Sequence, residues 1–169
     1  MAVTNDILPF HEPPGKTLAD YNYHRRTVDI SEVRRQVVHA IERARTRAQQ
    51  RRQQAADAER AYAVFLDDVA VPVARMVASA LKAEGVPFTV STPSGGLRLS
   101  SDHGRDDYIE FGLQHAGSGA SVVGRVRRAR GSRTLEEERA VKPGVPPQDL
   151  SAADVLAFLT DALEPWLER

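Results

Sequence analysis

The chain has no cysteine among its 169 residues. Disulfides, thiolate metal sites and cysteine nucleophiles are therefore excluded. Aromatic residues make up only 6%, so a core has to be built from Val, Leu, Ala and Ile. The formal net charge is zero, which gives no overall pull toward nucleic acid or a membrane surface. No apolar run approaches the ~18 residues that a transmembrane helix needs. The first residues lack a basic stretch followed by an apolar one, so no signal peptide is expected. Hydrophobic content of 41% and charged content of 27% fit a soluble, cytoplasmic protein made of one domain plus extensions.

What is present is unevenly placed. Residues 146–169 carry five acids and one base, whereas residues 32–60 carry eight arginines and four acids. Residues 1–28 read as an irregular leader or docking segment. "ILPFHEPPGK" favours an extended polyproline path. Phe10, Tyr21 and Tyr23 are more apolar surface than a purely solvated linker needs, which makes them candidates for partner binding.

A long helix is expected over about 30–84. Asp29 caps it, Glu32 three residues on completes a capping box, and Val28 and Val33 form a hydrophobic staple. Gly85 closes it as a left-handed cap, with Val86 folding back. No Gly or Pro interrupts residues 30–71, and Pro72 is expected to kink or divide the helix. Counting in sevens from Ile41 gives Ala48, Ala55, Tyr62 and Val69. The companion positions are Val37, Ala44, Arg51, Ala58 and Phe65. This is a coiled-coil-like seam with Arg51 as its one polar break. From Tyr62 onward the apolar face broadens to include Val64, Leu66, Val71, Val73, Met76, Val77 and Leu81, as expected of a helix packed on a core. The implied organisation is a helical arm over 29–61 and an α+β domain over 62–169.

Residues 86–142 read as an antiparallel meander of four to five strands. "VPFTVSTPSGGLRLSS" is a hairpin pattern, "DDYIEFGLQ" alternates, and "ASVVGRVRRAR" alternates around Gly124, a candidate bulge. "RGSRT" is a turn, and "LEEERAV" supplies a fifth, edge strand. The final helix is expected over about 151–164, capped by Ser151 with Asp154 three residues on, and ended or bent by Pro165, with Trp166 and Leu167 packing a last turn. It should pack on the sheet. The fold class is therefore α+β.

Three places could carry chemistry. Arg43, Arg47 and Arg51 step by four along the helix, and Arg125 and Arg127 share a sheet face with Arg133, opposite Arg128 and Arg130. Together they form a candidate phosphate-binding set for nucleic acid. Glu136, Glu137 and Glu138 on the returning strand are expected to pair with these arginines. The loop at 102–107 gathers Asp102, His103, Asp106 and Asp107, which suits a metal site or a small hydrolase. Asp, Gly and Ser are also ordinary turn formers. "GSGAS" at 117–121 has no helix after it and reads as a hairpin loop. There is no P-loop, dinucleotide-binding glycine fingerprint, HExxH or GxSxG. No cofactor and no metal are expected, and we identify no family resemblance. The first expectation is a non-enzymatic interaction or assembly subunit. It pairs with a protein partner or a second copy through Val37, Ile41, Ala44, Ala48, Ala55 and Ala58. Nucleic acid is the second reading, and an enzyme using the 102–107 loop the third.

Overall fold

The computed structural model describes residues 29–168, apart from 105, 118 and 132. Val28, half of the expected staple, and the leader residues Phe10, Tyr21 and Tyr23 lie outside the described residues. The chain divides into two compact units, residues 1–44 and 45–169.

Helix α1 runs from Ile30 to Phe65 and α2 from Val71 to Ala83, joined by a π-helical turn over Leu66–Ala70. The turn has a local cause. Pro72 has no N–H to donate, and its ring would crowd the carbonyl four residues back. Widening the preceding turn relieves this, and Val71 N–H bonds Leu66 O, five residues back. One residue is thereby inserted into the helical repeat. The buried stripe steps from Tyr62, Phe65 and Leu66 to Ala70, Val71, Val73, Ala74 and Leu81. Met76, expected on the packed face, is 64% exposed. Val64 also faces outward.

The caps differ in outcome. Ser31 N–H bonds Asp29 Oδ1 at 3.1 Å, as expected of a cap. Glu32 does not complete the box: its carboxylate takes Arg35 and Gln36 on the next turn instead. At the other end the expected closure forms. Gly85 has φ +79°, and Val86 N–H bonds Leu81 O at 2.9 Å.

Five strands follow: β1 (Phe88–Ser91), β2 (Leu97–Ser101), β3 (Tyr108–Ala116), β4 (Gly119–Arg130) and β5 (Arg133–Ala140). They form one antiparallel sheet in the order β1-β2-β3-β4-β5, a meander. Helix α3 (Ala152–Leu167) comes last. Phe88, Leu97, Leu99, Ile109, Phe111, Val122 and Val126 are buried, and α2 and α3 supply the cover from Val73, Ala74, Val155, Phe158, Leu159 and Leu163. Tyr62 O–H donates to the Phe111 carbonyl at 2.9 Å, level with Leu97, the first residue of β2. Burial, with the charge of Glu110 second, pushes the Tyr62 phenol above its ordinary value, so it is a neutral donor.

Gly124 is not a bulge. It sits in unbroken register between Phe111 and Arg139. A Cβ there would lie 2.1 and 2.4 Å from ring carbons of Phe158, so the missing side chain is the seat of α3 on the sheet. Phe158 and Phe111 meet edge to face, ring centroids 5.4 Å apart. Helix α3 carries the expected capping box: Asp154 N–H to Ser151 Oγ at 3.3 Å and Ser151 N–H to Asp154 Oδ2 at 3.0 Å. Pro165 does not end it. The helix continues to Leu167 because Trp166 is buried and packs edge to face on Phe88 at 5.9 Å. Only the last turn has a bond to lose, and Glu168 N–H still reaches Glu164 O.

Two outcomes follow. Gly124→Ala, forced against an aromatic ring, should lower stability by about 1–3 kcal/mol in urea unfolding. Gly112→Ala, with nothing within 4 Å of the new carbon, should be neutral or stabilising. Equal effects would mean that Phe158 is not seated there. Secondly, hydrogen bonds from Lys142, then from Ser151, hold the Asp154 carboxyl down to about 2. A carboxyl lower in the folded chain than in the unfolded one stabilises above the unfolded value, about 4, and loses that effect as the pH falls toward 2. Asp154→Asn should therefore be less stable than the parent at pH 6 and converge with it by pH 2, read from chemical unfolding at each pH.

Candidate functional site

The 102–107 loop places its polar groups separately. Asp107 is buried; its Oδ1 accepts from Ala129 N–H at 2.6 Å, and its backbone carbonyl accepts from Ser101 N–H at 2.9 Å. It stitches the β2–β3 connection to β4. Asp102 accepts from Thr89 Oγ1 at 2.8 Å. Asp106 lies 3.6 Å from Arg127. His103 is exposed, and its backbone N–H is the group that bonds Ser101 Oγ. Among the described residues no group of three or more His, Cys, Asp or Glu is placed to hold a metal ion.

Arg125 and Arg127 of β4 sit in a charge ladder on the outer sheet face. Arg98 pairs with Glu110 at 3.1 Å, and Arg125 bonds Glu138 at 2.8 Å and Glu136 at 3.2 Å. The bond to Glu138, then its charge, holds the Arg125 guanidinium above its ordinary value. Tyr108 lies between two cations, 4.4 Å from Arg98 and 6.0 Å from Arg127. Of the acidic triplet, Glu136 and Glu138 pair across the hairpin with Arg125 as expected, whereas Glu137 lies 3.5 Å from Arg139 of its own strand. The register corrects the placement of Arg133: it pairs with Arg130, and paired residues share a face. It therefore belongs with Arg128 and Arg130, not with Arg125 and Arg127. On the inner face Arg128 stacks 5.6 Å from Trp166, and Arg139 4.6 Å from Phe158.

The helix seam divides between the two units. Val37, Ile41 and Ala44 belong to the first and are exposed; Ala48, Ala55 and Ala58 belong to the second and are half-buried. Within the first unit Ile30, Val33, Val37 and Ile41 recur at three- and four-residue spacing, at exposures of 84, 43, 50 and 45%. Spacing of that kind puts them on one stripe. Arg43 and Arg47 both have partners, so neither is a free cation. Arg51 faces an open cavity that also contacts His115 and Gln148, a grouping the sequence reading did not contain.

Compared with known proteins, the chain matches no family model, no curated protein and no solved structure. No helix among the described residues is long and apolar enough to cross a membrane.

If the 102–107 loop is scaffolding, Asp107→Ala, which removes the buried carboxylate that accepts from Ala129 N–H, should cost about 1–3 kcal/mol. His103→Ala should stay within about 0.5 kcal/mol. Thermal and urea unfolding of the two variants would check this, and a reversed order would return the loop to consideration as a reactive site.

Proposed function

We propose that this chain is a non-enzymatic interaction or assembly subunit. It pairs through the N-terminal stretch of α1 with an apolar-faced helix of a second copy or of a protein partner. The observation that carries this is the stripe of Ile30, Val33, Val37 and Ile41, four large aliphatic side chains at least 43% exposed on one helical face. A surface helix normally buries such a stripe, and covering it removes apolar area from water at roughly 25 cal/mol per Å². The alanine positions farther along are less available, because Ala55 and Ala58 line a cavity of their own unit. Nucleic acid is the second reading. It is left chiefly to α1, since Arg125 and Arg127 have carboxylate neighbours, Glu138 on β5 and Asp106 in the loop before β3.

Light scattering after size exclusion, at low and moderate salt, tests both. The expected result is a salt-insensitive oligomer free of nucleic acid. Val37→Glu combined with Ile41→Glu buries unpaired charge in the contact, and should weaken association by ~100-fold or more while helix content by circular dichroism is unchanged. Association that survives the double change would remove the stripe as an interface. Nucleic acid that co-elutes and is shed by salt would reverse the two readings.

A further inference from the structure

A second feature lies wholly within the unit formed by residues 45–169 and does not depend on the pairing of α1. The stretch of α1 from Arg51 to Ala61 faces the β3–β4 hairpin tip and the Pro146–Gln148 segment across an open cavity of 560 Å³. The facing walls carry mostly small or ring-constrained residues, among them Ala55, Ala58, Ala61, Gly119, Ala120 and Pro147. The volume falls within the ~300–1,000 Å³ of small-molecule sites.

The polar groups around it include one cation and several hydrogen-bond donors. Arg51, Gln54, His115 and Gln148 all line the space. Among the described residues none of these four side chains has a hydrogen-bond or ion-pair partner, whereas the one lining acid, Asp57, is engaged by Gln53 at 3.2 Å and by Arg60. A guanidinium, an imidazole and two amides are therefore present as donors with no free carboxylate to meet them. Guanidinium recognises carboxylate in a two-point, planar fashion. Alanine and proline walls favour hydrocarbon over a fully hydrated ion.

We propose that this cavity binds a small organic acid with an apolar body, its carboxylate against Arg51 with His115 as second donor, and its hydrocarbon against the alanine and proline walls. Arg51 breaks an otherwise apolar heptad seam, and a ligand charge at this point gives the break a role that helix pairing does not.

The test uses the full chain with octanoate and benzoate as probes, followed by chemical shifts of the backbone amides. Octanol serves as a neutral control and inorganic phosphate as an anion without an apolar body. Octanoate or benzoate should shift Ala55, Ala58, Ala61, Gly119 and Ala120 together, with octanol and phosphate each at least about tenfold weaker. Arg51→Gln keeps an exposed, good helix former at the position, so it should fold normally by circular dichroism. It should weaken carboxylate binding about tenfold or more without changing the octanol response. Ala58→Leu, which fills the gap, should abolish binding of both carboxylates. No shift with either acid at millimolar concentration would overturn the assignment. So would octanol or phosphate binding as tightly as octanoate, or an unchanged carboxylate affinity in Arg51→Gln.

Discussion

Proline at position 72 cannot donate a backbone hydrogen bond, and much of the helical layer follows from how the chain accommodates that. The π turn at Leu66–Ala70 absorbs the lost bond and adds a residue to the repeat. The added residue rotates every side chain after it by about 100° relative to α1. Ala70 and Ala74, fully buried, take the places a regular helix would give to Val69 and Val73, and Val73 is buried beside them. Two small side chains at the contact bring the α2 backbone close to its neighbours, and the larger residues at Val71, Val73 and Leu81 fill the flanks. The buried stripe of α2 is thus rotated from that of α1 rather than continuing it.

The sheet answers with its own small residue. Gly124 receives the Phe158 ring, and Phe111 closes it from the neighbouring strand. The two faces of the sheet then have separate chemistry. The inner face is a continuous apolar surface, edged by Arg128 and Arg139 lying over aromatic rings. The outer face alternates cation and anion across the strands, from Arg98 to Glu110 to Arg125 to Glu138. Cross-strand ion pairs at such exposure contribute little stability each. Their main effect is to hold Arg98 and Arg125 against carboxylates of the domain, so these arginines are not free cations on the outer face.

Legibility in the sequence followed the range of the interaction. Local signals read correctly: the Ser151–Asp154 box, the Gly85 closure, the strand alternation and the tight connections all depend on neighbours a few residues apart. The meander and the α+β class followed from them. Signals that compete locally were less decisive, as with Glu32, where Arg35 and Gln36 offered better partners than the cap. Features set by tertiary contact were not legible. Gly124 resembles a bulge until Phe158 is known to lie on it, and Pro165 resembles a break although the helix runs through it to Trp166, whose packing the sequence did suggest. The seam pattern was legible as spacing, but not the division of its residues between an exposed stripe and a cavity wall. Arg51, His115 and Gln148 come from three distant segments, and no spacing rule connects them.

The order of elements sets the order in which the domain can be completed. In a meander each strand pairs with the one made just before it, so the sheet can zip up from short loops as the chain emerges from the ribosome. Its inner face cannot be finished in the same way. α2 is made before the first strand, but α3 is made after the last, and only then can Phe158 reach Gly124 and Trp166 reach Phe88. A nascent chain halted within the sheet would hold Phe111, Val122 and Val126 without their final cover. The interval before the last helix arrives is when this protein is most open to aggregation or to a chaperone.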